Sequence, residues 1–243
     1  MKREEIKLST NYTDNNQLIL VGKITGEKRF SHEIYGEKFY IFELEVPRLS
    51  NNADIIPVTI SERLITTEEL DIGRTILVRG QFRSYNSYEN ERNKLILTVF
   101  AKDIVFIDNE ENYSEEIEKI KVDNISNEVV LNGYICKKPI YRQTPFGREI
   151  ADILLAVNRA YNKSDYIPCI AWGRNARFCQ NIEVGTEVKL VGRVQSRAYE
   201  KKLEDGTVIP KIAYEVSVNS LEIVNEDDIE KDIQSVSENQ DAV

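Results

Sequence analysis

The sequence predicts an all-β protein made of two tandem copies of one small domain. Short stretches of alternating apolar and polar residues, separated by glycines and polar turns, recur along most of the 243 residues. This period-two pattern is typical of half-buried strands. The same landmarks also occur twice at a nearly constant spacing, which indicates that one domain was duplicated.

Five pairs of landmarks define the repeat. Three pairs share an offset of 111 residues and two share an offset of 112, a regularity that is hard to obtain by chance. The pairs are Asn16–Gly22 with Asn127–Gly133, Leu44–Arg48 with Leu155–Arg159, Asp54–Pro57 with Asp165–Pro168, Gly73 with Gly185, and Gly80 with Gly192.

Each copy is predicted to hold five strands and one short helix between the third and fourth. In the first copy the strands are expected at 17–26, 37–48, 54–61, 75–85 and 94–107, with the helix-like segment at Glu62–Leu70. In the second they are expected at 128–138, 148–160, 165–172, 186–199 and 209–223, with the helix at Asn175–Ile182. Residues 86–93 and 200–206 read as polar hairpin arms. This order fits the OB-fold, a five-stranded Greek-key barrel.

The predicted division of the chain is an N-terminal extension (1–15), a first OB-fold (16–108), an acidic linker (109–126), a second OB-fold (127–224) and an acidic flexible tail (225–243). The net charge of −9 is unevenly distributed among these parts. Residues 127–224 hold 14 basic and 11 acidic residues, whereas 225–243 hold one basic and seven acidic residues. Because the local field of a patch governs binding more than net charge does, the acidity does not exclude a nucleic-acid partner.

The composition argues against several other classes of protein. The three cysteines form no CxxC pair, so we expect reduced thiols in a cytoplasmic protein, without a disulfide framework or a zinc site. His32 is the only histidine, and acidic residues such as Asp152, Asp165 and Glu187 are scattered. No catalytic residue, metal ligand or cofactor is assigned, and no enzymatic activity is expected. No apolar run approaches a membrane span or a signal peptide.

The segment from 165 to 199 carries the clearest functional pattern. Alternation places Tyr166 and Trp172 on one face of the third strand and small apolar residues on the other. The fourth strand likewise turns Arg193, Arg197 and Tyr199 away from its apolar face. Because bases stack on aromatic rings and phosphates pair with cations, such a surface suits a single-stranded nucleic acid. An ordinary strand surface carrying tyrosines is the alternative, because Tyr and Trp favour strands in any case.

The second copy resembles the bacterial single-stranded DNA-binding protein family. The resemblance runs in order from about 127 to 223, through the segments 127–133, Ala151–Val157, Ile170–Gly173 and Gly185–Arg193. The first copy resembles the family more faintly, so the chain is similar to the members that carry two OB-folds.

The resemblance implies a set of site residues. Four positions that carry stacking aromatics in the family are aromatic here, namely Tyr161, Tyr166, Trp172 and Tyr199. Neutralisation of the DNA backbone is expected from Arg142, Arg148, Arg159, Lys163, Arg174, Arg193, Arg197, Lys201 and Lys202. In the first copy the corresponding aromatic positions are Ser50, Ile55, Ser61 and Ser87, so its binding face is expected to be degenerate. Binding of DNA in a different way, weak binding and no binding are the alternatives for this copy. Its Phe39–Phe42 segment is interpreted as core and interface.

The resulting hypothesis is binding of single-stranded DNA with little sequence preference, in replication, recombination or repair, by a nucleoid-associated protein. A primosome-like OB-fold module that binds proteins, or RNA, is the alternative. The resemblance implies four OB-folds per particle, so a homodimer is expected, and Leu77 and Val191 are predicted to be exposed apolar residues supporting it. A monomeric pseudo-dimer, with the two copies paired within one chain, stays open. The tail lacks the aromatic tip by which family members recruit replication and repair proteins, so that recruitment is doubtful.

Overall fold

The structure is a computed structural model that describes residues 15–50, 52–64, 70–89, 92–107, 126–202 and 205–224. The predicted N-terminal extension, linker and tail lie outside these residues, apart from Asn15 and Ser126 at their borders. Within the described ranges the chain forms 12 strands and one short α-helix. The all-β fold class is therefore confirmed, but each copy contains six strands rather than five.

The first copy contributes β1 (Asn16–Ile24), β2 (Arg29–Ile34), β3 (Glu37–Pro47), β4 (Ala53–Ser61), β5 (Thr75–Glu89) and β6 (Arg92–Phe106). The unpredicted strand is β2, which pairs with β3 at the edge of the sheet. Five of its six residues are exposed, so it carries no alternation that the sequence could reveal. A 3₁₀ turn at Glu62–Leu64 opens the predicted helix-like segment, and residues 65–69 lie outside the described part of the chain.

The second copy contributes β7 (Asn127–Ile135), β8 (Ile140–Gln143), β9 (Glu149–Arg159), β10 (Lys163–Trp172), β11 (Glu187–Lys202) and β12 (Val208–Ile223). A 3₁₀ turn covers Ala160–Asn162, and the helix α1 spans Arg174–Cys179. This helix confirms the one predicted between the third and fourth strands, and it buries Ala176 and Cys179 against the barrel. Here β8 is the strand that the sequence did not predict.

Each copy closes into a barrel because its first strand pairs on both sides. In the first copy β1 pairs with β5 and with β3, and in the second β7 pairs with β11 and with β9. The landmark glycines explain how this closure is possible. A Cβ atom at Gly22 would lie 2.5 Å from the carbonyl oxygen of Glu45, and one at Gly133 would lie 2.5 Å from that of Ala156. Only glycine lets the backbones approach so closely.

The two copies are joined through their first strands into one 12-stranded sheet. The strand order is β2-β3-β4-β6-β5-β1-β7-β11-β12-β10-β9-β8, which reads the same from either end once the second copy is matched to the first. The antiparallel pairing of β1 with β7 is centred on Leu18 and Val129, which are equivalent in the repeat. The chain is thus a pseudo-two-fold pair of barrels, with the copies matched to each other.

The buried faces follow the predicted alternation in the second copy. Val188, Leu190 and Val194 of β11 are completely buried, as are Ile167 and Ala171 of β10. Burial of such side chains is the main favourable term that holds a barrel of this size together.

The expectation that Leu77 would be exposed in a monomer is wrong. Leu77 is completely buried, because Ile19 from β1 and Ile107 after β6 pack against it on the outer side of the barrel. Val191 is half-buried rather than exposed. These two residues therefore provide no exposed patch of the kind that the sequence suggested.

The chemistry available outside the strands is limited. The three cysteines are free thiols, and burial raises the pKa of the Cys179 thiol to about 11, so it stays protonated near neutral pH. Among the described residues no three or more His, Cys, Asp or Glu side chains come together as metal ligands. None of the helices in the same ranges has the length and apolar character needed to cross a membrane.

Candidate nucleic-acid interface

The strand β10 presents two large aromatic rings to solvent, as the sequence predicted. Tyr166 is 46% exposed and Trp172 is 38% exposed, while Ile167 and Ala171 between them are completely buried. The indole Nε1 of Trp172 donates a hydrogen bond to Ser217 Oγ on β12 at 3.3 Å. This bond ties the ring to a neighbouring strand, so the indole is held in place with one side accessible.

The other two predicted aromatics lie at the ends of neighbouring elements. Tyr199, on the part of β11 that extends beyond the barrel, is 39% exposed, and the Arg197 guanidinium lies 6.0 Å from the centre of its ring. Arg197 also donates to both carboxylate oxygens of Glu215 at 3.4 Å. Tyr161 occupies the 3₁₀ turn between β9 and β10, but its side chain is outside the described part of the structure.

Besides Arg197, three of the predicted cations are engaged in ion pairs rather than presented freely. Arg142 donates to both oxygens of Asp152 at 2.8 and 3.2 Å, and this hydrogen bonding raises the pKa of Arg142. The other two, Arg159 and Arg193, contact buried aspartates described below. A phosphate would have to compete with these carboxylates, which lowers the gain expected from each arginine.

The remaining predicted cations are exposed and lie at or next to the ends of strands and of the helix. Lys163 begins β10, Arg174 begins α1, and Arg148 precedes β9. Lys201 and Lys202 end the described part of β11. Exposed side chains of this kind neutralise phosphates without a large desolvation cost, which suits binding that depends on salt.

A buried carboxylate lies on each side of the boundary between the copies. Asp54, completely buried, accepts hydrogen bonds from the Ser196 backbone N–H at 2.7 Å and from Arg48 at 2.5 and 2.8 Å. Arg193 from the second copy adds a contact at 3.2 Å. Two guanidinium groups therefore share one carboxylate, and hydrogen bonding to Asp54 raises the pKa of Arg48.

The equivalent carboxylate, Asp165, is held less fully. It accepts the Ser84 backbone N–H at 2.7 Å, but its Oδ2 atom has no hydrogen-bond partner and lies 3.5 Å from Arg159 Nε. Burial raises the pKa of Asp165, and this effect is only partly opposed by the hydrogen bond from the Ser84 N–H and by the nearby guanidinium groups of Arg159 and Arg83. The hydrogen bonds from the backbone to the two carboxylates are thus equivalent, whereas their contacts with guanidinium groups differ.

Sequence reasoning missed three exposed aromatics of the second copy, one of which is Tyr134 on β7, 38% exposed. Phe146, in the turn between β8 and β9, is 91% exposed, and Phe178 on α1 is 45% exposed. The Thr-Pro-Phe-Gly turn was a usable signal for Phe146, because an apolar ring in a tight polar turn has no core to enter.

The first copy lacks exposed aromatics at the equivalent positions. Ser50 follows β3, Ile55 is half-buried on β4 and Ser61 is buried at the end of that strand. The Ser87 side chain is outside the described residues. The two faces therefore differ in the residues that a base would meet first.

Comparison with known proteins identifies the second copy. The model of the single-strand binding protein family matches residues 126–224. Single-stranded DNA-binding protein B of Bacillus subtilis is 35% identical over 86 residues, which cover 31% of this chain and 74% of that protein. Single-stranded DNA-binding protein A of the same organism is 35% identical over 106 residues, covering 41% of this chain and 61% of that protein. The match likewise spans 59% of the single-stranded DNA-binding protein of Clostridium tetani.

The architecture of both copies also has a counterpart among solved structures. The wild-type single-stranded DNA binding protein of Thermus aquaticus superimposes with a TM-score of 0.65 at 18% identity, over 87% of this chain and 93% of that one. At this identity the likeness shows the fold alone. Together with the family match and the relative that is covered over most of its length, it completes the assignment. The chain belongs to the single-strand binding protein family.

Proposed function

We propose that this protein binds single-stranded DNA with little sequence preference, mainly through the second copy. The observation that carries the proposal is the pair of exposed rings on β10, Tyr166 and Trp172, in a domain of the single-strand binding protein family. Stacking is tolerant of sequence because every base has a π-face. The proposed site comprises Tyr161, Tyr199 and the nine predicted cations as well.

The two buried charge clusters support a division of labour among those cations. Arg159 and Arg193 contact Asp165 and Asp54 at the boundary between the copies, so they contribute first to joining the barrels. The exposed residues Lys163, Arg174 and Lys201 are better placed to neutralise phosphates. We therefore infer that the salt dependence of binding comes mainly from the exposed set.

The cellular setting forms part of the proposal. Proteins of this kind act on DNA strands exposed during replication, recombination or repair, so we place the protein at the nucleoid in the cytoplasm. We also propose that two chains associate, giving four OB-folds per particle. Its protein partners are not assigned, because the tail on which recruitment would depend lies outside the described residues.

The proposed function is tested by titrating the protein with an oligo-dT strand and with a duplex of the same length at several salt concentrations. Trp172 is the only tryptophan, so quenching of its fluorescence reports binding at the second copy. We expect tighter binding to the single strand than to the duplex. The logarithm of the association constant should fall linearly with the logarithm of the salt concentration. Equal binding to the duplex would contradict the proposal, and binding to neither would favour a protein-interaction module.

Substitution of the ring gives the matching structural test. Trp172→Ala should cost about 1–3 kcal/mol of binding free energy, the contribution of one stacked base, measured by anisotropy of labelled DNA. The control is Ser61→Ala at the equivalent position of the first copy, which should leave the affinity unchanged. Unchanged affinity in a folded Trp172→Ala protein would remove Trp172 from the site.

A further inference from the structure

The first copy carries an aromatic row of its own, on the outer face of its barrel. His32 on β2 stacks on Phe39 of β3, with ring centres 4.8 Å apart and planes within 8°. Phe39 in turn lies 5.7 Å from Phe100 of β6, and the Arg83 guanidinium of β5 lies 4.2 Å above the Phe100 ring. We call His32, Phe39, Phe100 and Arg83 the ring row.

The ring row is not part of the barrel core. The residues that alternate with Phe100 on β6, Val99 and Ala101, are 0% and 2% exposed, so they face inward and Phe100 faces outward. Phe42 of β3 enters the core, whereas Phe39 is turned to the opposite side. His32 at the end of the row is exposed. Phe39 is nevertheless only 8% exposed, so it is buried as expected, although it lies outside the main core cluster.

The ring row occupies the place that the Trp172 ring occupies in the second copy. Strand register makes Ser61 equivalent to Trp172, and Phe100 equivalent to the Ser217 that bonds the indole. The ring therefore comes from β6 in the first copy and from β10 in the second, and the small serine comes from the neighbouring strand in each case. Each copy has one ring at this point of its outer face, although the aligned sequence positions suggest that the first copy has none.

The ring row also continues from the proposed site of the second copy. The backbone N–H of Tyr166 donates to Ser84 Oγ at 2.7 Å, and Ser84 follows Arg83 in β5. Burial lowers the pKa of Arg83, and repulsion from the nearby Arg159 guanidinium lowers it further. These two guanidinium groups face the single carboxylate of Asp165, so a surplus of positive charge lies between Tyr166 and Phe100. A phosphate passing from one copy to the other would meet this surplus.

We propose that the ring row is a second stacking platform for single-stranded DNA, reached from Tyr166 across Arg83 and Arg159. The inference rests on the proposed function, since it extends the path of the same strand onto the first copy. The exposed outer face of the His32 imidazole is the point at which a base extends the stack, and Arg83 and Arg159 neutralise the backbone between the two platforms. The first copy thus binds DNA with residues that differ from those of the second.

The chain offers one spectroscopic probe for each platform. Trp172 is the only tryptophan and His32 the only histidine, so the fluorescence of the untagged protein reports the second copy and its imidazole ¹H NMR signals report the first. One OB-fold covers about 4–16 nucleotides, so an oligo-dT of about 10 nucleotides fills one platform and one of about 30 can reach both. We expect Trp172 quenching with both strands, and an upfield shift of the His32 signals with the longer strand, because a stacked base shields the imidazole protons.

Variants test the same proposal through the affinities for the longer and the shorter oligo-dT. His32→Ala should weaken binding of the longer strand about fivefold or more and leave the shorter strand unaffected. The control is Phe30→Ala, which also lies on β2. Phe30 is exposed, but it contacts Tyr40 on the opposite face of the sheet, across a bulge from His32. The affinities for the longer and the shorter DNA should therefore both stay unchanged. Quenching of Trp172 without any shift of His32, or equal effects of the two variants, would overturn the second platform and leave the proposed function intact. Absence of both signals would contradict both.

Discussion

At the scale of single residues, the two equivalent aspartates show how a duplicated sequence acquires different electrostatics. Asp54 and Asp165 occupy the same place in the repeat and accept the same backbone bond, from Ser196 and Ser84 respectively. Asp54 receives two further guanidinium contacts within 3.2 Å, whereas one oxygen of Asp165 has no hydrogen-bond partner. One contact is missing because Gln81 stands in the first copy where Arg193 stands in the second. The other is weaker because Arg159, the equivalent of Arg48, lies 3.5 Å from the Asp165 carboxylate.

This difference predicts an unusual dependence of stability on pH. Burial raises the pKa of Asp165 above 3.8, so between 3.8 and the raised pKa the folded protein binds more protons than the unfolded chain. The free energy of unfolding contributed by this residue must therefore fall as pH rises through that window, and it stays lower at neutral pH. Urea denaturation gives the free energy of unfolding of the wild type and of Asp165→Asn. The wild-type value minus the Asp165→Asn value should decrease as pH rises from 3.8 towards neutrality.

The control for this measurement is Asp205→Asn. Asp205 is exposed, and the hydrogen bond from the Thr207 backbone N–H lowers its pKa below 3.8. Its stabilisation is present above 3.8 and is lost as pH falls through the lowered pKa, so its difference has the opposite sign. A wild type minus Asp165→Asn difference that instead increases with pH would show that the Ser84 hydrogen bond and the neighbouring arginines outweigh burial.

At the scale of the elements, β1 and β7 each pair with strands of their own barrel and also with each other across the boundary. From Leu18 onwards β1 pairs with β5, but at Asn16 the backbone is paired with Leu131 of β7. The Asn16 side chain then replaces the missing backbone contact: its amide accepts from the Phe82 N–H at 2.9 Å and donates to the Phe82 carbonyl at 2.7 Å. Asn127 makes the equivalent pair of bonds with Val194 in the second copy.

Removal of this amide should destabilise the fold. Asn16 is 3% exposed, and Asn16→Ala would leave the N–H and carbonyl of Phe82 without partners. We expect the free energy of unfolding to fall by about 1–3 kcal/mol for each buried group left unsatisfied. Asn127→Ala should give a similar loss, and Asn219→Ala, at an exposed position, should give almost none. A loss at Asn16 no larger than that at Asn219 would exclude this role; urea denaturation measures all three.

At the scale of the whole molecule, the sequence was informative wherever alternation and repetition coincide. The barrels, the helix between β10 and β11 and the outward rings Tyr166 and Trp172 were all predictable, because each depends on local pattern. The ring row was not predictable, because His32, Phe39 and Phe100 come from three strands and meet only through the register of the sheet. The burial of Leu77 depends in the same way on contacts made by other elements.

The pairing of β1 with β7 also changes the basis of the dimer prediction. The first strands of the two copies already bind each other, so a second chain must use another surface. The outer surface of the sheet around β1 and β7 is the natural choice, because it continues across both copies. Val130 of β7 and Val191 of β11 are paired there and half-buried, on the side opposite the core residues Leu131 and Leu190. A closed two-fold dimer on this surface would cover both residues.

Light scattering decides between this dimer and a monomeric pseudo-dimer. We expect a mass near twice the 28.1 kDa of one chain at micromolar concentration. Val130→Lys should reduce the mass to that of one chain, because a charge buried in an apolar interface without a partner is strongly unfavourable. Lys23→Ala, an exposed substitution on β1, should leave the mass unchanged. An unchanged circular dichroism spectrum would show that Val130→Lys still folds. A wild-type mass of one chain would mean that the two barrels already form the complete particle, with the strand path confined to Trp172, Tyr166 and the ring row.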